Sequence, residues 1–333
     1  MRIGAGAERV RARVAGVVRA LSCAGLAGGV LLAPFAARAQ RAVVVRADND
    51  AFNFWQQPWA RPDEEYTSGV RLTLDYDGVA PWARHLTRAA RACRETAPCE
   101  SHTYALGQDI YTAVRSPRDS SVVPNGRPDA GVLWVSSTTR FVRPSTLLEL
   151  GLTFGVTGKP SLAEPMQRFF HALAPSFNRP ITWGRQVPTE PVFAASLDAR
   201  RIMRVGALEM QPHAGASLGN LLTEGRAGVG ARLGRAVLHP WLAMPRRPAF
   251  DVALVGDASA RAVARNEVLN GALFRRSVRV TPRPFVTELE GGVRIRWRMF
   301  EAAWVAHQTS AEYVTRTAPH VWSTLEAGWY RGR

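Results

Sequence analysis

Hydrophobic and polar positions alternate with a period of two through most of this chain. Between Thr146 and Thr157, Leu148, Leu150, Leu152, Phe154 and Val156 fall on one side. Glu149, Gly151, Thr153, Gly155 and Thr157 fall on the other. That is the pattern of a strand with one apolar and one wet face. Tyr66, Ser68, Val70, Leu72, Leu74 and Tyr76 alternate in the same way with Thr67, Gly69, Arg71, Thr73 and Asp75. Near the C-terminus Leu289, Gly291, Val293, Ile295, Trp297 and Met299 form an apolar face opposite Glu288, Glu290, Gly292, Arg294, Arg296 and Arg298. Further alternating runs lie at 42–52, 104–112, 131–143, 192–204, 208–218, 227–235, 250–256, 277–280, 303–309 and 321–330. The pattern predicts on the order of a dozen antiparallel strands, an even number being usual for a closed barrel.

The period changes once. After Gly158-Lys159-Pro160, the run Ser161-Leu162-Ala163-Glu164 has the spacing of a capping box, which predicts a short helix. Pro165 still falls in its first turn, where a missing N–H costs little. Gln167 and His171, four apart, share one face of that helix. A strand that runs into a helix carrying such a polar pair is a candidate site.

Two architectures give alternation of this kind: a soluble sandwich with its apolar faces inside, and a membrane barrel with them outside. Three arginines and two glutamates on the polar face of residues 288–298 decide between them. Unpaired, they would not enter a dry core, whereas a hydrated lumen accommodates them. Tyr66 and Tyr76 at the two ends of an apolar face also match the aromatic girdles of outer-membrane barrels. After residue 39 no apolar run is long enough for a membrane helix. The expected fold is therefore an all-β transmembrane antiparallel barrel of about 12 strands with a short helix at the site.

Composition adds a compartment. Met1 to Arg19 is basic, Val14 to Pro34 is largely apolar, and Ala37-Arg38-Ala39 is a small-x-small cleavage pattern before Gln40. Residues 1–39 read as a signal peptide and residues 40–333 as the barrel domain. Residues 1–39 carry six arginines and one glutamate, so cleavage lowers the formal charge from +16 to +11. An exported basic protein meets anionic lipid headgroups rather than nucleic acid. Lys159 is the only lysine. Export also predicts that Cys93 and Cys99, the two cysteines of the mature chain, are joined. P-loop, Gly-x-Ser-x-Gly and paired Cys-x-x-Cys signatures are absent.

Several short stretches, in order, resemble the outer-membrane lipid A 3'-O-deacylase family. Asp48-Asn49-Asp50-Ala51-Phe52 resembles its opening Glu-Asn-Asp-x-Phe. Asp63 with Tyr66-Thr67-Ser68-Gly69 is similar to Thr-Asp-Arg-x-Tyr-Thr-x-Gly. Gly107-Gln108-Asp109-Ile110-Tyr111-Thr112 resembles Gly-Gln-x-Ile-Tyr-Thr-Pro, and Gly126-Arg127-Pro128-Asp129-Ala130-Gly131 resembles Asp-Arg-Pro-Tyr-Ala-Gly. Gly155-Val156-Thr157-Gly158 with Gln167 and His171 is similar to the Gly-x-x-Gly, Gln-x-x-x-His run. Trp183, Gln186, Glu190-Pro191 and Leu218-Gly219-Asn220 follow in the family's order. Each match is short, and their order and spacing make the set specific.

The resemblance implies an outer-membrane ester hydrolase that removes the 3'-linked acyloxyacyl group of lipid A, the lipid part of lipopolysaccharide. It implies His171 as general base, with Gln167, Thr67, Asn49 and Asp50 in the site. Arg118 falls near a family lysine. Calcium is the implied cofactor, with Asn49 and Asp50 as its candidate ligands. From below, a neutral histidine can take a proton from water attacking an ester carbonyl, and an ion held by oxygen ligands can stabilise the oxyanion. The sequence departs from the family where a glutamate six residues past the histidine becomes Phe177, and where Gly126 and Asp129 replace the Asp and Tyr of Asp-Arg-Pro-Tyr. The alternative reading is a barrel of the same family that has lost catalysis and serves as a structural or lipid-binding protein.

Overall fold

The computed structural model describes residues 40–54, 65–85, 100–115, 122–123, 125–143, 145–173, 183–234 and 250–331. Its strands are β1 (Gln40–Asn49), β2 (Glu65–Asp77), β3 (Glu100–Thr112), β4 (Ala130–Arg143), β5 (Thr146–Thr157), β6 (Pro191–Arg201), β7 (Met203–Val205), β8 (Leu208–Gly219), β9 (Leu222–Gly234), β10 (Phe250–Asn266), β11 (Phe285–Trp297), β12 (Phe300–Thr309) and β13 (His320–Tyr330). Two α-helices are described, α1 (Ala163–Leu173) and α2 (Glu267–Asn270). β1 pairs with β13, Ala42 opposite Tyr330 and Asn49 opposite Ser323. β6 and the short β7 both pair along β8, so they act as one strand interrupted at Ile202. The sheet thus closes as a twelve-stranded antiparallel barrel, as the alternation predicts. The end of the barrel at Asn49 is called upper below, and the end at Ala42 and Tyr330 lower.

The two faces divide as expected. Val70, Leu106, Phe154, Leu197, Leu254 and Leu289 stand exposed on the outside, where burial in lipid rather than in protein accounts for them. The inside is an ion-pair lattice. Arg140 joins Asp75 at 2.9 Å and Glu149 at 2.5 Å, Arg232 joins Asp251 at 2.7 Å, and Arg294 joins Glu326 at 2.8 Å and also Glu301. Of these, Glu149, Arg232, Arg294 and Glu301 line a cavity of about 630 Å³. No described helix is long and apolar enough to cross a membrane; the strands do the crossing.

Above the cavity an apolar plug closes the upper end. Val268 and Leu269 of α2 pack with Val187, Val192, Tyr313, Ala130, Val132 and Trp134. Polar bolts surround it. Arg127 is fully buried, pairs with Glu65 at 2.9 Å and lies over the Tyr111 ring at 4.6 Å. Glu65 also accepts from the Tyr313 hydroxyl at 2.7 Å and from Arg316 at 2.8 Å. At the lower end Trp82 donates to Ser137 at 2.9 Å and Tyr76 stacks on His102, which places an aromatic girdle on the outer face.

Four strand expectations need correction. β10 runs on to Asn266 rather than ending at residue 256. Residues 277–280 are irregular rather than a strand. Residues 192–204 do not run unbroken. Arg298 is not on the lumenal face of β11, because the strand ends at Trp297 and Arg298 turns with a left-handed φ of 52°. Its guanidinium lies 5.3 Å from the Trp297 ring. The two-residue β11–β12 hairpin needs positive φ to match the strand twist, and that need overrides the alternation.

Candidate functional site

The candidate residues lie on the outer wall at the upper end, on neighbouring strands and on α1. β2 carries the cause. Its register against β3 shifts between Tyr66 and Ser68, so Thr67 is an extra, bulged residue. A bulge displaces every side chain beyond it to the opposite face. Tyr66 therefore points inward with Gly69 and Arg71, where the even-numbered run alone would send it outward. Its hydroxyl donates to Asp48 at 2.8 Å and lies 3.3 Å from Asp109. A Cβ on Gly69 would run into that hydroxyl, which is why glycine stands there. Thr67, expected on the lumenal face, is instead buried on the outer one, its hydroxyl oxygen 2.5 Å from that of Thr112.

α1 leans on the outside of β3 and β4. Gly131, in line with the outward-facing Leu133 and Val135, allows this approach, since a Cβ there would collide with Ala163 and Ser161. The expected capping box does not form. Residues Lys159–Ser161 make a 3-10 turn, Leu162 takes a left-handed φ of 58°, and the buried Ser161 hydroxyl donates to Gly158 O at 2.6 Å. Glu164 pairs with Arg168 at 2.6 Å instead. Gln108 of β3 fixes the entry by donating to Ser161 O at 2.6 Å. The wall-facing side of α1 then carries Ala163, Gln167 and His171, one helical turn apart. Gln167 is buried and accepts from Trp183 Nε1 at 2.8 Å, and His171 is half-buried.

Asn49 and Asp50 complete the arc. Asn49 ends β1 and caps a 3-10 turn over Asp50–Phe52 through Ala51 N–H, at 2.7 Å. That turn packs against β13 and β2. Its outer placement follows from two bonds: Phe52 O accepts from Trp304, on the outer face of β12, at 3.1 Å, and Ser323 donates to Asn53 at 2.8 Å. Reading around the rim, Asn49 and Asp50 top β1, Thr67 tops β2, Thr112 tops β3, and the Gln167–His171 face covers β3 and β4. Arg118 and Phe177 lie outside the described residues, as do Cys93 and Cys99.

The donor chemistry at Asn49 and Asp50 suits calcium. Asn49 offers an amide oxygen and the next residue, Asp50, a buried carboxylate, and both are hard oxygen donors. Asn49 Oδ1 keeps a second lone pair beyond its bond to Ala51. Remaining places of a six- to eight-oxygen shell would fall to water and substrate.

Other motif residues turn out to hold the wall together. Glu190 accepts from the backbone N–H groups of Leu273 and Phe274 at 2.8 and 2.9 Å. Asn220 seals β6 to β8 by accepting from Phe193 N and donating to Pro191 O. Asp129 is buried and accepts from Ala113 N–H at 2.9 Å and Arg115 at 3.1 Å. Burial raises its carboxyl above the ordinary range, against the pull of those two donors. Thr112, the Asp48–Tyr66–Asp109 bond set and the Arg127–Glu65 pair were not singled out by the sequence. Thr112 was within reach, as the last residue of the Gly107–Thr112 stretch.

The family model described as outer membrane protein LpxR matches residues 20–331. The chain belongs to that family. Among solved structures, LpxR from Salmonella typhimurium superposes with a TM-score of 0.67 at 15% sequence identity, covering 87% of this chain and 100% of the other. The β domain of the Bordetella autotransporter BrkA aligns over 88% of this chain and 100% of its own, at 11% identity and a TM-score of 0.42. No curated protein matches the sequence. The LpxR superposition covers the whole partner chain, so the twelve-stranded outer-membrane barrel is the architecture of this LpxR family member.

Proposed function

We propose that this barrel removes the 3'-linked acyloxyacyl group of lipid A by ester hydrolysis at the outer wall. One observation carries the reading. The candidate residues Asn49, Asp50, Thr67, Gln167 and His171 lie along the outer, lipid-facing side of the upper rim, while an apolar plug closes the lumen beside them. A site so placed takes its substrate from the membrane and not from a pore.

His171 is the general base that removes a proton from water attacking the ester carbonyl. Gln167, fixed by Trp183, holds its place on the helix face beside it. Thr67, its hydroxyl oxygen 2.5 Å from that of Thr112, positions water or substrate. Asn49 and Asp50 are the residues that would hold calcium, which supplies Lewis-acid stabilisation of the oxyanion when bound. Arg118 adds positive charge only, since arginine does not exchange its proton in this range.

The second reading is the same wall without catalysis, favoured by Phe177 where the family has a glutamate. Incubating the purified barrel with lipid A in detergent and following the lipid by mass spectrometry separates the two. The proposal expects loss of one acyloxyacyl group, suppressed by a strong chelator and restored by calcium. An unchanged lipid with a properly folded barrel overturns it. Activity that resists the chelator contradicts the role given to Asn49 and Asp50.

A further inference from the structure

The segment between α2 and β11 is built as a rigid finger with an unusual tip. Glu190, buried just ahead of β6, uses both carboxylate oxygens on the backbone N–H groups of Leu273 and Phe274. Gly271 starts the finger with a φ of 74°, and Val280 N–H closes it back onto Leu269 O at 2.8 Å. With the backbone clamped from inside, Leu273 and Phe274 can only point out, and they are 52% and 67% exposed. Arg275, Arg276 and Arg279 follow, all exposed.

The arginines contrast with those of the lumen. Arg140, Arg226, Arg232, Arg294 and Arg296 each hold a carboxylate within 3 Å. At the foot of the finger Arg283 turns to the backbone carbonyl of Tyr313, and Arg316 holds Glu65 at 2.8 Å. Arg275, Arg276 and Arg279 have no acidic partner among the described residues. Three exposed guanidinium groups within five residues, with no such partner among the described residues, repel one another, an arrangement suited to an anion supplied from outside. The wall next to the clamp is apolar too, since Phe193, three residues past Glu190, is itself 51% exposed.

We infer that this finger docks a phosphate-bearing lipid headgroup of the leaflet around the upper rim, with Arg275, Arg276 and Arg279 on the phosphate and Leu273 and Phe274 among the acyl chains. The chemistry is matched at both levels. Guanidinium binds phosphate bidentately, and an apolar pair next to basic residues is the composition of an interfacial anchor. Glu190 acts as a positioning residue by fixing the two backbone groups from which the anchor projects. The inference rests on the lipid A reading only in naming the phosphate-bearing lipid expected at this rim. Binding can be read without turnover.

The test measures affinity of the purified protein in detergent for bisphosphorylated lipid A and for the same lipid with its phosphates removed, in a His171→Ala background. Wild-type finger is expected to prefer the phosphorylated lipid. R275A/R276A/R279A should erase that preference and weaken binding roughly 100-fold, from the attraction of about three basic residues near a lipid surface. L273S/F274S should weaken both lipids alike. An excess of inorganic phosphate should leave the lipid bound. Equal affinity for the two lipids, an unaffected triple variant, or full displacement by inorganic phosphate would each overturn the inference. Since catalysis is switched off in every sample, absence of deacylase activity would not mimic any of these outcomes.

Discussion

Thr67 and Thr112 stand hydroxyl to hydroxyl on the outer wall, 2.5 Å apart, because Tyr66 is bonded to Asp48 on the inner one. One extra residue in β2 makes both placements possible. The inner bonds thereby set the outer geometry, and disturbing either side should be felt on the other.

Tyr66→Phe removes the donor that two carboxylates, Asp48 and Asp109, approach. The expected cost is about 1–3 kcal/mol of barrel stability, with deacylation falling as Thr67 loses its register. Gly69→Ala drives a methyl into the same hydroxyl and should cost about 1–3 kcal/mol through overpacking. In the double variant the hydroxyl is gone, so the two costs should sum to more than the measured total. Urea unfolding of the barrel in lipid vesicles reads all three values; strict additivity would contradict the shared contact.

Arg127 sits in the plug with its charge answered by Glu65. Arg127→Ala should cost about 1–3 kcal/mol, the penalty for leaving one buried carboxylate oxygen of Glu65 short of a donor while Arg316 and the Tyr313 hydroxyl still hold the other. Arg127→Lys should recover only part of it, because the flat guanidinium also covers Tyr111. The same unfolding assay checks both, and full rescue by lysine would show that charge alone matters.

Glu267, in α2, lies beside Glu190 and Arg265. Burial lifts its carboxyl to about 7, Arg265 opposes the shift, and Glu190 adds to it. A folded value above the unfolded one means that the proton is held more tightly in the native plug. Stability from this group is therefore complete below about pH 4.5 and is lost as the pH rises through about 7. Unfolding midpoints measured from pH 5 to 9 should fall across that window in the wild type. Glu267→Gln, which keeps the neutral form at all pH values, should flatten the fall.

Much of the barrel was legible because alternation is a strong signal where one face meets lipid and the other water. Leu148 to Val156 and Leu289 to Trp297 behave as their periodicity says. The helix from Ala163 was legible from its change of period, though not from its cap, since the Ser161 hydroxyl turned to Gly158 O. The face of Thr67 was not legible. A bulge changes the count of residues without changing their kind, so the run from Tyr66 to Tyr76 reads as one smooth strand. Arg298 misled for a related reason, as hairpin twist is set by φ and leaves no mark on the polar pattern. The candidate residues could be named in order along the chain. That they lie on the outer face became visible only through Gly131, Trp304 and the bulge.

The most direct measurement is the mass of lipid A from cells that express the wild-type barrel or His171→Ala, both checked for heat-modifiable migration as folded barrels. The account predicts that wild type strips the 3'-acyloxyacyl group and that His171→Ala leaves it in place, with a rate loss of about 10²–10⁴-fold for a missing general base. Lipid A stripped equally by the folded His171→Ala barrel would contradict it and move the chemistry away from α1.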